Sequence, residues 1–586
     1  MKLAPFTALL SAVLLLSYSS TSTAALPWSR SSAAPFDIVI RGGTIYDGSG
    51  GAPFVGDVAI RGDKVVAVGR TLKGPRLTEI NATGLAVAPG FINMLSWATE
   101  SLLADGRGLS DLKQGVTLEV MGEGSSMGPW NEKMRRQETE RQGDIKYPVT
   151  WATLDEYLTQ LETLGIAQNV ASMVGAETVR THVLGEEDVD PDPAELKRMQ
   201  ALVVQAMEDG ALGVGSSLIY APGSYADTDE LVALVSEAGR CGGIYTSHMR
   251  SEGNRLLEAI DELIEISRRS GAPAEIYHLK AAGKPNWGKL DAAIARIEAA
   301  RKSGLRISAN MYTYTAGSTG LDAAMPTWVQ AGGREAWIKR LKDPQTRKEV
   351  IAEMRVDNPA FENLYRFAGP EGTLLVGFRN PKLKPLTGKT LAEVARMRGV
   401  SPEDAAIDLV IEDGSRVQVV YFLMSEDNVR KETALPWMSF GSDAAALAPE
   451  GVFLQSSTHP RAYGNVARLL GKYVREEKSL TLADAVRRLS ALPAQNLGLH
   501  DRGMLKAGNF ADVAVFDPAT IGDTATYETP KTFATGMRWV LVNGGVALKN
   551  GEPTALATGR VVRGRAWKGW PDGGCRASAK DWTWAW

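Results

Sequence analysis

The sequence of 586 residues contains few cysteines and few histidines. Its two cysteines, Cys241 and Cys575, are too few for a disulfide framework, so we expect stability to come from apolar burial and not from cross-links. Cys241 is followed by Gly-Gly and an apolar segment, which is typical of a small buried residue and not of a redox centre. The five histidines are few enough to be considered individually.

The chain also lacks an excess of either charge and lacks a nucleotide-binding signature. Lys and Arg number 65 against 68 Asp and Glu, giving a formal net charge of −3. No basic field therefore draws the protein to a nucleic acid, and a nucleic-acid partner is not expected. Neither GxGxxG nor GxxxxGK[ST] follows an early strand, which removes the usual nucleotide-binding role of an open parallel sheet.

The N-terminus carries a short apolar run. Lys2 precedes an apolar core from Phe6 to Leu16, and Thr23-Ala24-Ala25 is a small-residue cleavage pattern. A core of about ten residues is too short to span a bilayer, so residues 1–25 are predicted to be a secretory signal peptide. We expect a periplasmic or secreted mature protein that is not inserted in the membrane after cleavage.

Apolar periodicity divides the mature chain into several parts. Residues 36–88 and 505–565 alternate short apolar runs with Gly-rich turns, which predicts one β-sandwich built from both termini. Between them, strand and helix patterns alternate, which predicts parallel β-structure. A (β/α)8 barrel over residues 89–504 is the economical α/β fold, and an open doubly wound sheet is the alternative. Residues 330–430 break this rhythm as an insertion or lid, and the Trp-rich tail 566–586 is predicted to be a strap or an interface.

Polar side chains stand where three of the predicted parallel strands end. His248 ends GGIYTSH, His278 ends AEIYH and Asp443 ends WMSFGSD. The histidines are separated by about one strand–helix unit, so they come from adjacent strands and can converge at one end of a barrel. Two imidazoles and a carboxylate there form a partial zinc shell. A catalytic zinc keeps a position for water, and a further carboxylate must then take and return a proton.

Long ordered blocks resemble a known family. AVAPGFIN at residues 86–93 resembles the strand that opens the barrel in the amidohydrolase superfamily. From about residue 36 to residue 565, the sequence is similar to the N-acyl-D-amino-acid deacylases (D-aminoacylases) in the blocks GALGVGSSLIYAPGSYADTDELVAL, GGIYTSHMRSEG, IYHLKAAGK, MYTYTAGSTG, FGSDA, THPRAYGNVARLLGKYVREE and LHDRGMLKAGNFADVAVFDP. The resemblance implies an imperfect (β/α)8 barrel, a β-sandwich from both termini, an inserted small domain and zinc-dependent amide hydrolysis.

Several residues match functional positions of this family. His248 and His278 match two zinc ligands, and Asp443 matches the catalytic general base. Lys280 and Arg461 match basic groups that receive the substrate carboxylate. An Arg–carboxylate pair that is bidentate fixes orientation as well as supplying energy.

The remaining aromatic and histidine positions are less specific. Tyr312 or Tyr314 of MYTYTAG is expected to help bind the substrate carboxylate. His459 of the HPR block either orients Asp443 or the substrate, or holds a loop. The histidines without a partner suggested by the sequence are interpreted as structural, namely His182 and His500.

The sequence departs from the family at the first strand. The family has an HxH pair soon after PGFID, whereas this chain reads PGFINMLSWATE and places Leu95 and Trp97 at the two histidine positions. Neither side chain binds zinc. We therefore expect the second, weaker metal position of a binuclear site to be absent and the chemistry to use one ion.

The third zinc ligand is also altered. Family members often have a cysteine after the second strand, where this chain has Gly124 with Glu123 beside it. A carboxylate is an acceptable zinc ligand, so Glu123 is the candidate. Glu119, within the strand, and Glu100 are the alternatives.

These observations predict a hydrolase of N-acyl-D-amino acids that uses one Zn²⁺. Glu123, His248 and His278 would hold the ion, and Asp443 would move the proton. A metal-dependent dipeptidase or cyclic-amide hydrolase of the same superfamily is one alternative, because the missing HxH is consistent with a remodelled specificity. A non-catalytic binding protein is another. The expected partner is a small N-acyl amino acid, and the sequence leaves open whether the chain forms a homo-oligomer.

Overall fold

The computed structural model describes residues 34–575, which form a mixed α/β fold. The predicted signal peptide at residues 1–25 and the end of the Trp-rich tail lie outside the described residues. Among the helices of residues 34–575, none has the length and apolar content needed to cross a bilayer.

Both ends of the chain contribute strands to one nine-stranded sheet, in the order β21-β20-β19-β18-β5-β1-β2-β3 with β4 beside β1. The two ends meet where β5 and β18 pair antiparallel. Alternating apolar side chains of these strands pack into a separate core cluster. The strands are β1 Phe36–Ile45, β2 Phe54–Arg61, β3 Lys64–Gly69, β4 Arg76–Asn81, β5 Ala86–Pro89, β18 Val513–Phe516, β19 Met537–Val542, β20 Gly545–Lys549 and β21 Glu552–Pro553.

The middle of the chain forms two parallel sheets that carry the candidate site. One has the order β6-β7-β8 and the other the order β17-β13-β12-β11-β10-β9. All of their strands are short and almost entirely buried, as expected for parallel strands covered on both sides. The strands are β6 Phe91–Asn93, β7 Val116–Met121, β8 Asn169–Ser172, β9 Val174–Gly175, β10 Gly213–Ser217, β11 Ile244–His248, β12 Ala274–Ile276, β13 Ile307–Met311 and β17 Met438–Phe440.

Backbone hydrogen bonds join these two parallel sheets at their outer strands. The N–H of Met94, after β6, donates to the carbonyl of Phe440 in β17 at 3.2 Å. The N–H of Asp443 donates to the carbonyl of Leu95 at 2.9 Å. At the other edge of each sheet, the outer strands are β8 and β9, which follow each other directly in the chain. The segment after β6 therefore lies against the segment after β17, which brings Trp97 close to Asp443.

Amphipathic helices connect consecutive parallel strands. Between β11 and β12, for example, the helix Leu256–Ser270 buries Leu256, Ile260, Leu263 and Ile266 on one face and ends at Gly271, whose left-handed conformation suits glycine. The helices outside the segment between β13 and β17 are α1 Ser101–Ala104, α2 Leu109–Leu112, α3 Glu132–Arg141, α4 Leu154–Leu164, α5 Ala176–Leu184, α6 Pro193–Asp209, α7 Thr228–Arg240, α8 Leu256–Ser270, α9 Leu290–Lys302, α16 Arg461–Arg468, α17 Leu482–Leu489 and α18 Ala491–Asn496.

The segment between β13 and β17 forms a unit with its own sheet and core. Because β13 pairs directly with β17, this segment leaves the parallel sheet and returns to it. Its sheet is antiparallel, in the order β14-β16-β15. Its elements are β14 Ala316–Gly320, β15 Thr373–Gly377, β16 Gln418–Phe422, α10 Arg334–Leu341, α11 Pro344–Met354, α12 Leu364–Ala368, α13 Leu391–Arg398, α14 Pro402–Asp413 and α15 Glu426–Thr433.

The two cysteines form a disulfide bond, so the expectation of a chain stabilised without cross-links is wrong, although Cys241 is buried as expected. Cys241 follows α7 directly and is bonded to Cys575, 334 residues further along the chain. The chain before Cys575 runs along the helices and strands of the parallel sheets, with backbone bonds from Val562 to Val170 and from Gly564 to Gly210. The sequence pattern could not show this pairing, because the two cysteines become neighbours only through the path of the tail.

Candidate metal centre

Three side chains from both parallel sheets converge at the carboxyl ends of their strands. Glu123 follows β7, His248 ends β11 and His278 follows β12. Oε1 of Glu123 lies 3.1 Å from Nδ1 of His248 and 3.0 Å from Nε2 of His278. The three donor atoms lie within 4.8 Å of one another, and theirs is the one such group of metal-binding side chains found among residues 34–575. An oxygen and two nitrogens so close together are a donor set suited to zinc.

The carboxylate and imidazoles stabilise each other's charge in this buried place. Burial alone would raise the pKa of Glu123, but His278 and His248 outweigh it and hold the pKa well below its usual range. For His278, burial and Lys280 oppose the charged ring, whereas Glu252 and Glu123 favour it and raise its pKa to about 9. Nε2 of His248 is buried and has no hydrogen-bond partner. That nitrogen lies 3.7 Å from Oε2 of Glu252, whereas the ring nitrogen that faces Glu123 is Nδ1.

Glu252, which the sequence reasoning missed, supports His278 from behind. Its Oε1 lies 2.9 Å from Nδ1 of His278 and 2.5 Å from Nζ of Lys280. Lys280 also places Nζ 2.8 Å from the same Nδ1. Burial favours the neutral acid, but Lys280 and the two histidines lower the pKa of Glu252 well below its usual range. A carboxylate next to the other nitrogen of a metal-binding imidazole fixes the ring orientation. The spacing of Glu252 four residues after His248 was the available signal.

Asp443 follows the carboxyl end of β17 and lines the same cavity as this group. Its Oδ2 forms a 2.8 Å ion pair with Nη2 of Arg461. Burial raises its pKa, Arg461 lowers it, and the nearby Glu123 raises it, with a net increase. Asp443 and His278 both have left-handed backbone conformations, with φ of 48° and 36°. Such conformations are strained for residues other than glycine and cluster at functional sites.

Trp97 lies between Glu123 of the metal-binding group and Asp443. Its indole Nε1 donates to Oε2 of Glu123 at 2.9 Å and to Oδ1 of Asp443 at 3.2 Å. The two carboxylates therefore share one neutral donor.

Arg461 and Tyr312 complete the wall beside Asp443. The guanidinium of Arg461 lies over the ring of Tyr312, 4.5 Å from its centroid. Nε and Nη1 of Arg461 are buried and have no hydrogen-bond partner. Together with the candidate metal ligands, both residues line one cavity of about 460 Å³ that also reaches the unit between β13 and β17. This cavity offers a metal-binding group, a carboxylate and a cation with unused donors.

Other predicted residues have different surroundings. Tyr314 donates to Asp523 at 3.1 Å and does not line the cavity. His459 accepts the N–H of Arg461 at Nδ1, so its Nε2 donates to the carbonyl of Ala316 at 2.9 Å. Both ring nitrogens thus bond to backbone groups, which agrees with the alternative that His459 holds a loop.

The alternative third ligands lie apart from the metal-binding group. Burial raises the pKa of Glu100 and of Glu119 to about 7 in each case. Glu119 accepts a 2.9 Å hydrogen bond from Asn93. Of the other histidines, His182 is in α5, where burial lowers its pKa, and His500 lies beside Arg565. None of these four residues belongs to the group of metal-binding side chains found in residues 34–575.

Comparison with known proteins identifies the family. The model of the amidohydrolase family matches residues 78–547, so the chain belongs to this family. A D-aminoacylase of Alcaligenes xylosoxydans xylosoxydans is 32% identical over 540 residues, covering 91% of this chain and 99% of the relative.

Two solved structures share the fold. The N-acyl-D-glutamate deacylase of Bordetella bronchiseptica, in complex with zinc and a phosphonate mimic of the tetrahedral intermediate, is 28% identical with a TM-score of 0.75, covering 90% of this chain and 100% of that one. A D-aminoacylase structure is 30% identical with a TM-score of 0.75, covering 90% of this chain and 99% of that one. That D-aminoacylase is described as having a binuclear metal centre, with activation by one metal and attenuation by the second.

Proposed function

We propose that the protein is a zinc-dependent hydrolase that cleaves the amide bond of N-acyl-D-amino acids, releasing a carboxylate and a free D-amino acid. The observation that carries this proposal is the convergence of Glu123, His248 and His278 opposite Asp443 in one cavity. The similar deacylases, which act on N-acyl-D-amino acids, supply the substrate class and its configuration.

Glu123, His248 and His278 would hold the metal. The mixed oxygen and nitrogen donors of this group fit zinc better than a hard cation that requires oxygen ligands. When bound, zinc polarises a carbonyl group and lowers the pKa of water. Glu252 and Lys280 orient the imidazole of His278 from its far side.

Asp443 is the general base in this proposal. It must be ionised to accept the proton of the attacking water, and it then returns that proton to the leaving amine. The ion pair with Arg461 favours the ionised form, whereas burial and Glu123 oppose it. The net increase in its pKa makes Asp443 a stronger proton acceptor than an ordinary aspartate. Asp443 lines the cavity and contacts both Trp97 and Arg461.

The cations beside Asp443 would receive the free carboxylate of the substrate. Arg461 uses Nη2 on Asp443 and retains two nitrogens, Nε and Nη1, without partners. Lys280 donates to Glu252, and an ammonium has three donors, so donors remain for the substrate carboxylate. Tyr312 supports Arg461 through its ring. A substrate held by its carboxylate would present its amide at a fixed place in the cavity.

The architecture supports a (β/α)8 barrel with an inserted lid, beside a β-domain in which strands from both termini form one nine-stranded sheet rather than the two separate sheets of the expected sandwich. Taking β8 and β9 as one position, the two parallel sheets supply eight strands in the sequence β6, β7, β8, β10, β11, β12, β13 and β17. The bonds of Met94 and Asp443 across β17 and β6 support closure. Glu123, His248 and His278 lie at carboxyl strand ends, where sites in this fold are found.

The disulfide between Cys241 and Cys575 supports export of the protein to a periplasm or outside the cell. Disulfides persist in oxidising compartments, which agrees with the signal peptide predicted at residues 1–25. Fractionation of the native host, with N-terminal sequencing of the mature chain, tests this proposal.

The function is tested by assaying hydrolysis of a panel of N-acetyl-D-amino acids, their L-enantiomers, dipeptides and cyclic amides, with the zinc content of the same samples. We expect cleavage of the D-compounds and no more than slow cleavage of the others. Asp443→Asn should lower kcat by about 10²- to 10⁴-fold with zinc content unchanged, because only the proton transfer is removed. Turnover of dipeptides or cyclic amides alone would contradict the assigned substrate, and zinc-free active protein would contradict the centre.

A further inference from the structure

A tryptophan occupies the space between the candidate metal ligand and the candidate base. Nε1 of Trp97 donates to Glu123 at 2.9 Å and to Asp443 at 3.2 Å. An indole N–H is only a donor and carries no charge. The place between the two carboxylates, where a second cation would be stabilised, is therefore filled by an uncharged ring.

The backbone holds the ring in this place. The N–H of Trp97 donates to the carbonyl of Ala444 at 3.0 Å, and Ser96 forms a parallel bridge with the same residue. The indole is thus tied to the segment that carries Asp443. Leu95 is fully buried, and a Cβ added to Gly441 would lie 2.7 Å from its backbone nitrogen, so the packing of Leu95 is tight. Neither residue supplies a metal ligand.

The charges of Glu123 and Asp443 explain why a donor that bonds to both of them stabilises their arrangement. Glu123 and Asp443 repel each other, as the rise in the pKa of Asp443 caused by Glu123 shows. Arg461 is paired with the opposite oxygen of Asp443, Oδ2, and so does not reach Glu123 in this contact. Among these contacts, the indole of Trp97 is the group that links the two carboxylates.

We propose that Trp97 takes the place of a second metal ion, limiting the centre to one zinc and positioning Asp443 relative to the ligand Glu123. This inference rests on the proposed function, since Asp443 and Glu123 have the roles given above. Trp97 is a positioning residue, because it acts through Asp443 and Glu123. The centre then needs no HxH pair, and excess zinc does not occupy a second site beside Asp443.

The variants Trp97→Phe and Leu95→His/Trp97→His test the proposal, with Trp328→Phe as the matched control. Trp328 is 38% exposed against 39% for Trp97, its indole also donates to a carboxylate, that of Glu353 at 2.9 Å, and it does not line the cavity. Zinc per chain is measured by mass spectrometry after equilibration with excess zinc, and kcat and KM are measured separately.

We expect one zinc per chain in the wild type, Trp97→Phe and Trp328→Phe, and two in the double variant. Trp97→Phe should lower kcat about tenfold or more with KM within about twofold, because it loses hydrogen bonds to charged groups next to the reacting atoms. Trp328→Phe should match the wild type.

Two results would overturn the inference: a second zinc bound in the wild type, or a kcat for Trp97→Phe equal to that of Trp328→Phe. Anomalous scattering from zinc-soaked wild-type crystals gives the first answer without any variant that has to fold. A wild type that binds no zinc and is inactive would instead refute the proposed function, so the two failures are distinguishable.

Discussion

Replacing Arg461 with alanine removes a group that contacts the proposed base and faces the place of the substrate. The side chain is 3% exposed, pairs with Asp443 at 2.8 Å, and has two nitrogens, Nε and Nη1, without hydrogen-bond partners. If those two nitrogens bind the substrate carboxylate, each charged hydrogen bond is worth about 1.5–3 kcal/mol. Their loss then lowers kcat/KM by about 10²- to 10⁴-fold. Loss of the pair with Asp443 adds a further decrease in kcat.

The substrate separates these two effects. With an N-acetyl-D-amino acid amide, which has no carboxylate, only the contribution through Asp443 remains. We therefore expect Arg461→Ala to lower kcat/KM for the acid at least about tenfold more than for the amide. Arg461→Lys, which keeps the charge but loses the planar fork, should fall between alanine and wild type. Steady-state kinetics of both substrates with both variants measure this, and an equal loss on the acid and the amide would refute carboxylate binding by Arg461.

Three further outcomes are expected. Removing zinc with a chelator should abolish hydrolysis and lower the melting temperature, and adding one equivalent of zinc back should restore both. Activity that survives complete removal of zinc would contradict the metal centre. The pKa of Asp443 is raised and its ionised form is needed, so kcat/KM should decline as the pH falls through a pKa above that of an ordinary aspartate, which is about 4. A pH profile that stays flat down to about pH 4 would contradict this expectation. Reduction of the bond between Cys241 and Cys575 removes a constraint on a very long loop, worth about 5 kcal/mol at most, and should lower the melting temperature by about 4 °C. A Cys241→Ser/Cys575→Ser variant should melt at the temperature of the reduced protein, and a melting temperature unaffected by reductant would contradict a stabilising role.

The positions of the imidazoles were predictable because strand ends have a local signature. An apolar run that stops at a polar residue marks the end of a buried strand, and parallel strands end at the same edge. His248, His278 and Asp443 followed from that pattern, and the structure places all three in one cavity. The expectation for Glu123 needed the family resemblance as well, since Glu119 and Glu100 are equally acidic.

Contacts between segments far apart in the chain could not be predicted from the pattern of apolar and polar residues. Glu252 is four residues after His248, but its contact with His278 and Lys280 depends on how the loop after β11 turns over the next strand. The disulfide was missed for the same reason, because the tail must run along the parallel strands and their helices before Cys575 reaches Cys241.

The sequence by itself determined which donor types this protein has and where strands present them, since these are properties of single short segments. Only the tertiary structure decided that the indole of Trp97 lies between Glu123 and Asp443. That contact depends on backbone hydrogen bonds between the first and last parallel strands, and on the left-handed backbone of Asp443. The physical reason is that a side chain's direction is set by backbone torsions and by partners hundreds of residues away, and neither is written in the local order of residues.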